Sequence, residues 1–240
     1  MDNNTLLKEL IAPLGIEITR PETFERFRLY CARLIEKNAV MNITTITDPA
    51  EIYARHFADS LAPAAFLPRP ENMIDVGCGG GFPGLPLKIF FDDSAEGATC
   101  LTLLDSTAKK IDFLRELTAE MGLKNVSFET RRAEDAARDP KLRESFAMAT
   151  SRAVTAMPAL CELCLPFVKT GGIFAAHKSA RSLEEVELGR RAAGALGGSY
   201  GQFYAYSMGD IDQLIVPVEK KKPTPAEFPR PWARIKKKPL

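Results

Sequence analysis

Histidine is scarce in this chain: two residues in 240, His56 and His177. Imidazoles so few and so far apart do not build a metal cluster, and no Ser/His/Asp or Cys/His arrangement for nucleophilic catalysis is evident. Cysteine is sparse and odd in number, with Cys31, Cys78, Cys100, Cys161 and Cys164. That argues against a disulfide framework and fits reduced thiols in a cytoplasmic protein. The single CxxC, "CELC" at Cys161–Cys164, would need two further ligands to hold zinc. In a helical-looking stretch it reads as two small core residues one turn apart, and no metal is expected. No apolar run approaches the roughly 18–20 residues of a membrane-spanning helix. The opening "MDNNTLLKELIAPLG" has no basic region ahead of an apolar one, so neither a membrane segment nor a secretory signal is expected. An excess of one charge sign is missing too, since 32 Lys/Arg against 31 Asp/Glu leave a net +1. The balance is uneven, however. Glu219 to Leu240 holds eight basic and two acidic residues, so this tail carries +6 and the remainder −5. Such asymmetry fits a polyanionic partner reached by the tail, or a solvated basic terminus.

What the chain does have is periodicity. Phe24, Phe27, Cys31, Leu34 and Ile35 recur at helical spacing and predict a helix over Pro21–Lys37. A second helix begins in "TDPAEIYARHFADSL", where Asp48 can cap, Pro49 suits the first helical position and Glu51 lies three past the cap. On it Tyr53, Phe57 and Leu61 form one stripe; Ile52, His56 and Asp59 form another about 100° round. From Met73 onward short apolar runs alternate with helical ones. "MIDV", "CLTLLD", "NVSFET", "FAMATS" and "GGIFAAHK" read as strands. The helices are "GLPLKIF", "STAKKIDFLRELTAEMG" (capped at Gly122), "AMPALCELCLPFVK" and "SLEEVELGRRAAGALGG". This alternation predicts a parallel sheet covered on both faces. "SYGQFYAYSM" and "DQLIVPVEK" then follow without a helix between them, predicting an edge hairpin with an antiparallel last strand. The expected divisions are a helical appendage over 1–70, an α/β domain over 71–218 and a basic tail over 219–240.

The glycine cluster after the first strand is the strongest chemical signal. Ligands of doubly wound sheets bind beyond the carboxyl ends of the strands, and glycines there let backbone N–H groups approach closely. Gly79, Gly81 and Gly84 fit the dinucleotide spacing GxGxxG, but that turn would start late for a strand ending at Val76. Counting from the strand end gives Asp75-x-Gly77-x-Gly79-x-Gly81, the first motif of class I S-adenosylmethionine-dependent methyltransferases. Asp105 ends the second strand, where either family places a carboxylate on ribose hydroxyls. "RRAED" after the third strand places Ala133, Glu134 and Asp135 where methyltransferases contact adenine, or else forms a solvated turn.

Several segments narrow this further. "MNITTITDPAEIYARHFADSL", "DVGCGGGFPGLPLKI", "LLDSTAKKIDFLRE", "RRAED", "TSRAV" and "EFPRP…KKKPL" occur in that order. Together they resemble the bacterial glucose-inhibited division protein B family over Asn42–Leu240. The resemblance implies a class I (Rossmann-like) fold with a seven-stranded, mostly parallel sheet, an antiparallel last strand and an N-terminal helical appendage. It implies methyl transfer from S-adenosyl-L-methionine to guanine N7 in 16S ribosomal RNA, with the rRNA or small ribosomal subunit as partner. Cofactor contacts are then expected from Asp75, Gly77, Gly79, Phe82, Asp105, Ala133, Glu134 and Arg152. The chain departs from the family in two places. Ala147 stands where the family usually has Asp, and "PRPWARIKKKPL" replaces a Pro-Arg-Lys-x-Gly tail.

Guanine N7 already presents a lone pair and no proton, so the transfer needs no general base, and the missing catalytic triad is consistent with it. Substrate-side candidates are Asn42, Arg55, His56, Asp59, Arg152 and Lys178. Arg152 suits a carboxylate or phosphate clamp, or a structural ion pair. Asp59, three residues after His56, is expected to orient an imidazole that either contacts substrate or serves the core. Lys178 ends the fifth strand as a phosphate contact or a snorkelling lysine. In the tail, Phe228 and Trp232 interleave with cations in a pattern that suits unpaired bases and phosphates. Nothing demands a dimer, and a monomer is expected. The alternatives are a methyltransferase for another RNA or a small molecule, an NAD-binding oxidoreductase, and a cofactor-binding protein without turnover.

Overall fold

A computed structural model describes residues 2–93, 98–208 and 211–240. Five parallel strands form the centre of the sheet: β1 (Asn72–Val76), β2 (Cys100–Leu104), β3 (Val126–Glu129), β4 (Phe146–Arg152) and β5 (Val168–Ser179). β8 (Ile211–Lys220) pairs antiparallel with β5, and its other edge carries β6 (Gly198–Tyr200) and β7 (Tyr204–Met208) in succession. The order is β3-β2-β1-β4-β5-β8-β6, with β7 beside β8. The expected edge hairpin is present, but "SYGQFYAYSM" is two strands. β6 and β7 share one position in the sheet, so among the described residues eight strands fill seven places. β8 is therefore an interior strand, and it runs through Lys220, past the expected boundary at 218.

Strand order reverses between β1 and β4, so the carboxyl ends of β1, β2 and β4 splay around one crevice. Helices cover both faces. One face carries α1 (Asn3–Ile11), α2 (Pro21–Met41), α5 (Gly84–Phe91) and α6 (Ala108–Glu120). The appendage is continuous with the sheet there, because Leu7, Phe27, Tyr30 and Phe57 share one apolar cluster with Met73, Leu85, Leu103 and Leu114. The opposite face holds α7 (Ala133–Ala136), α8 (Met157–Cys164), α9 (Leu183–Ala195) and α10 (Trp232–Lys237). Both residues of the CxxC, Cys161 and Cys164, are buried in this second cluster, and no group of potential metal ligands occurs among the described residues. Among the described residues no helix is long and apolar enough to cross a membrane.

Local chemistry sets the boundaries. Asp48 accepts the Glu51 N–H at 3.0 Å and opens α3 (Pro49–Ile52), as its capping sequence predicts. The helix then widens into a π-helical stretch, Tyr53–Ala58, before continuing as α4 (Asp59–Phe66). Pro63 cannot donate to the carbonyl of Asp59, and the Tyr206 hydroxyl lies 3.5 Å from that oxygen. The helix expected through Lys169 stops earlier: α8 ends at Cys164 and a 3₁₀ turn spans Leu165–Phe167. Pro166 ends it, and the chain passes directly into β5.

Candidate active site

Two cavities open at the carboxyl ends of the strands. The first, of about 250 Å³, is lined by Val76, Gly77, Leu104, Asp105, Ala133 and Glu134, with Ser106, Arg131, Arg132, Val154, Leu163 and Trp232 completing it. Gly77 has φ +74°, and a Cβ there would lie 2.6 Å from Val154 Cγ2, so only glycine lets the loop pass beneath Val154. Asp105 is held from both sides: Gly79 N–H donates to Oδ2 at 3.0 Å and Thr107 N–H to Oδ1 at 2.8 Å. Each oxygen keeps a free lone pair for a ligand hydroxyl. Glu134, on the first turn of α7, makes no ion pair or hydrogen bond within the described residues. The cleft thus combines two carboxylates with the apolar walls of Val76, Leu104, Val154, Leu163 and Trp232, a donor set that suits the hydroxyls and flat base of a nucleoside.

The other expected cofactor residues, Asp75, Gly79, Phe82 and Arg152, do not line this cleft themselves. Gly79 reaches it through Asp105. Asp75 is completely buried behind the loop, where its Oδ2 accepts the Gly84 N–H at 2.8 Å and Oδ1 has no partner among the described residues. Burial pushes its pKa up to about 7 against the lowering effect of the Gly84 bond. This contact separates the two glycine readings. The N–H at the start of α5, where a dinucleotide pyrophosphate would rest, is already given to Asp75. Gly84 itself permits the approach, since a Cβ would lie 2.7 Å from that of Asp75. Phe82 lies outside the cleft, stacked on Tyr30 with ring centroids 5.3 Å apart and on His56 at 4.6 Å.

The second cavity, of about 440 Å³, gathers Arg55, His56, Asp59, Arg152 and Lys178, together with His177, Ser179 and Gln213. Asn42 lies outside it, in the left-handed conformation (φ +49°) that ends α2. Arg152, at the end of β4, donates to Asp59 Oδ2 at 2.6 Å and to the Arg55 carbonyl at 3.1 Å, and its guanidinium lies 5.2 Å from the Phe82 ring centre. It also meets His56 Nδ1 at 3.3 Å. A guanidinium only donates, so Nδ1 accepts and the remaining ring proton is on Nε2, donated to Thr44 Oγ1 at 2.8 Å. The expectation that Asp59 orients His56 is therefore corrected. Arg152 and Thr44 orient the ring, while Asp59 accepts from Arg152 and, at 2.7 Å, from the Tyr206 hydroxyl. Burial, then the Arg152 charge, lower the His56 pKa to about 4. Lys178 is anchored at 2.9 Å to both Glu185 and the Thr155 carbonyl.

His177 is the residue whose role sequence reasoning missed. It lines this cavity, is 5% exposed, and has no partner for either ring nitrogen among the described residues. Its signal was a polar residue within an apolar strand, read only as part of the strand.

A family model described as "GidB: rRNA small subunit methyltransferase G" matches residues 23–209. The chain belongs to this family. GidB membership makes it an rRNA methyltransferase that uses S-adenosylmethionine. Two relatives, both named ribosomal RNA small subunit methyltransferase G, span it almost completely. One from Geobacillus thermodenitrificans is 38% identical, covering 98% of each chain, and one from Clostridium perfringens is 40% identical, again covering 98% of each. Solved structures agree on the fold. A putative O-methyltransferase from Klebsiella pneumoniae aligns with TM-score 0.58 at 15% identity, covering 92% of this chain and 96% of that one. A SAM dependent methyltransferase from Aquifex aeolicus aligns with TM-score 0.53 at 17% identity, covering 74% and 96%. The GidB chain thus has the class I methyltransferase fold, as its motifs imply.

Proposed function

We propose that the protein is a cytoplasmic monomer that methylates N7 of a guanine in 16S rRNA, presented as free RNA or within the small ribosomal subunit. The observation that carries this reading is the pair of cavities at one end of the sheet, one with Asp105 and Glu134, the other with Arg55, His56, Arg152 and Lys178. In the first, Asp105, Glu134, Gly77 and Ala133 would hold the donor. S-adenosylmethionine, when bound, supplies an electrophilic methyl group on a sulfonium centre.

The residues of the second cavity orient the base. Guanine N7 needs no proton removed, so no base is required of His56; with both nitrogens held by Arg152 and Thr44, it serves as a fixed, neutral ring that places no positive charge beside the purine. Arg55, half exposed at the cavity, suits an RNA phosphate. Holding two reactants in line is worth on the order of 7–11 kcal/mol in favourable systems. N7 methylation leaves the purine cationic, and Asp59 neutralises Arg152, so that the pair adds no net positive charge beside it. The test incubates purified protein with labelled S-adenosylmethionine and naked rRNA, small subunits or tRNA, followed by nucleoside mass spectrometry. Label in N7-methylguanine of 16S rRNA is expected. Label in tRNA alone, or in no RNA, overturns the reading.

A further inference from the structure

The stretch that departs from the family tail, "PRPWARIKKKPL", reaches the donor cleft. Arg230 donates to Glu162, a completely buried carboxylate, at 2.6 Å, and its backbone N–H donates to the same group at 2.7 Å. Arg138 holds the Pro229 carbonyl at 2.5 Å and Arg143 the Phe228 carbonyl at 2.9 Å. Ile235 then enters the second apolar cluster with no exposed surface. Fastened on both sides, α10 presents Trp232 to the cleft that contains Asp105, Ala133 and Glu134. It is the only tryptophan in the chain.

From this placement we propose that Trp232 binds the methyl donor, its indole forming the aromatic wall against which the purine of the nucleoside packs. The inference rests on the reading that this cleft holds S-adenosylmethionine. The remaining apolar walls are aliphatic (Val76, Leu104, Val154 and Leu163), so Trp232 is the one aromatic ring among the described lining residues. A purine gains from such a face both dispersion contact and stacking, and a base stacked on an aromatic side chain typically binds about 5- to 150-fold tighter than with alanine. Phe228, the other ring of the tail, packs against the second cluster beneath the Arg230 guanidinium, 5.9 Å from its ring centre. The two rings of the tail are thus placed differently: Phe228 packs on the second cluster and Trp232 faces the donor cleft.

The experiment uses the full chain and S-adenosylhomocysteine, the stable product of the donor. Calorimetric titration measures binding to wild type, W232A, W232F and D105A, while fluorescence of wild type reports only Trp232. W232A is expected to bind at least fivefold more weakly, W232F within threefold of wild type, and wild-type emission to change on saturation. A smaller loss in W232A, or unchanged emission at a concentration that calorimetry shows to be saturating, overturns the proposal and leaves the cleft assignment standing. No binding by wild type, or wild-type affinity in D105A, overturns the cleft assignment itself. W232F, which keeps a ring of similar packing, and the emission measurement decide the matter even if W232A unfolds.

Discussion

At the scale of single residues, three groups, His56, His177 and Asp75, have shifted pKa values, and they pull stability in opposite directions. Burial is the leading cause of the lowering of His56 and His177 to about 4. For His177, Arg152 also lowers and Asp59 raises. An unfolded chain protonates its histidines below about pH 6.5, so it binds more protons than the folded protein between pH 6.5 and 4. Stability therefore falls as pH drops through that window. Asp75 does the reverse. It stays protonated up to about pH 7 when folded, whereas an ordinary aspartate titrates near 3.8, so its effect is to lower stability as pH rises from 3.8 to 7. Two histidines outweigh one carboxyl, and net loss on acidification from pH 7 to 5 is expected. His177→Phe removes one of the two contributions, on the order of 2 kcal/mol over that interval, and also an unpartnered polar ring. Urea melts of the two proteins at both pH values check this; parallel pH profiles would contradict it. Asp105→Ala is expected to weaken S-adenosylhomocysteine binding roughly 10- to 150-fold, the range for a charged hydrogen bond. Asp105→Asn is expected to keep more of the loop, because its side-chain oxygen can still accept from Gly79 or Thr107.

At the scale of elements, helices with intact periodicity and caps could be read directly. The Asp48 cap and the Gly122 end of α6 follow from their own sequence, Gly122 at φ +64°. Where proline intervenes the local signal was present but underweighted, as at Pro166. The π-helical stretch Tyr53–Ala58 was hidden for a different reason: its apolar spacing matches an ordinary helix, and its hydrogen-bond shift is decided by packing. Rings from three separate segments, Tyr30, His56 and Phe82, stack there, and no local pattern announces that. The break between β6 and β7 likewise has no propensity signal beyond Gly201. The glycine loop was legible because its requirement is steric. Gly77→Ala is expected to cost about 1–2 kcal/mol from its positive φ alone, and the Val154 contact adds to that. Adding Val154→Ala should relieve the contact but not the backbone strain. Thermal melts would then show partial recovery, and full recovery would refute the backbone argument.

At the scale of the whole molecule, the basic tail is the element whose role changes most between sequence and structure. By composition it carries +6, yet Lys220 is completely buried against Glu144 and the Leu165 carbonyl, and Arg230 is committed to Glu162. Lys222, Arg234, Lys236, Lys237 and Lys238 remain exposed, and none has an ion-pair partner among the described residues. If about four of these touch single-stranded RNA, log K falls with log salt at a slope near −3. Sequence alone predicts that deleting Pro231–Leu240 weakens rRNA binding and spares the donor site. With Ile235 in the core and Trp232 at the cleft, the deletion should instead weaken both. Losing a buried isoleucine should also destabilise the fold by about 1.5–3 kcal/mol. Charge and packing separate in the triple variant K236Q/K237Q/K238Q, which leaves both anchors in place. Its salt slope for small-subunit rRNA should be less steep by about 2, while S-adenosylhomocysteine affinity and melting temperature stay at wild-type values. Filter binding across a salt series, paired with calorimetry, reads both quantities. An unchanged slope would remove these lysines from the RNA surface, whereas a loss of donor affinity would mean that their charge acts on the cleft.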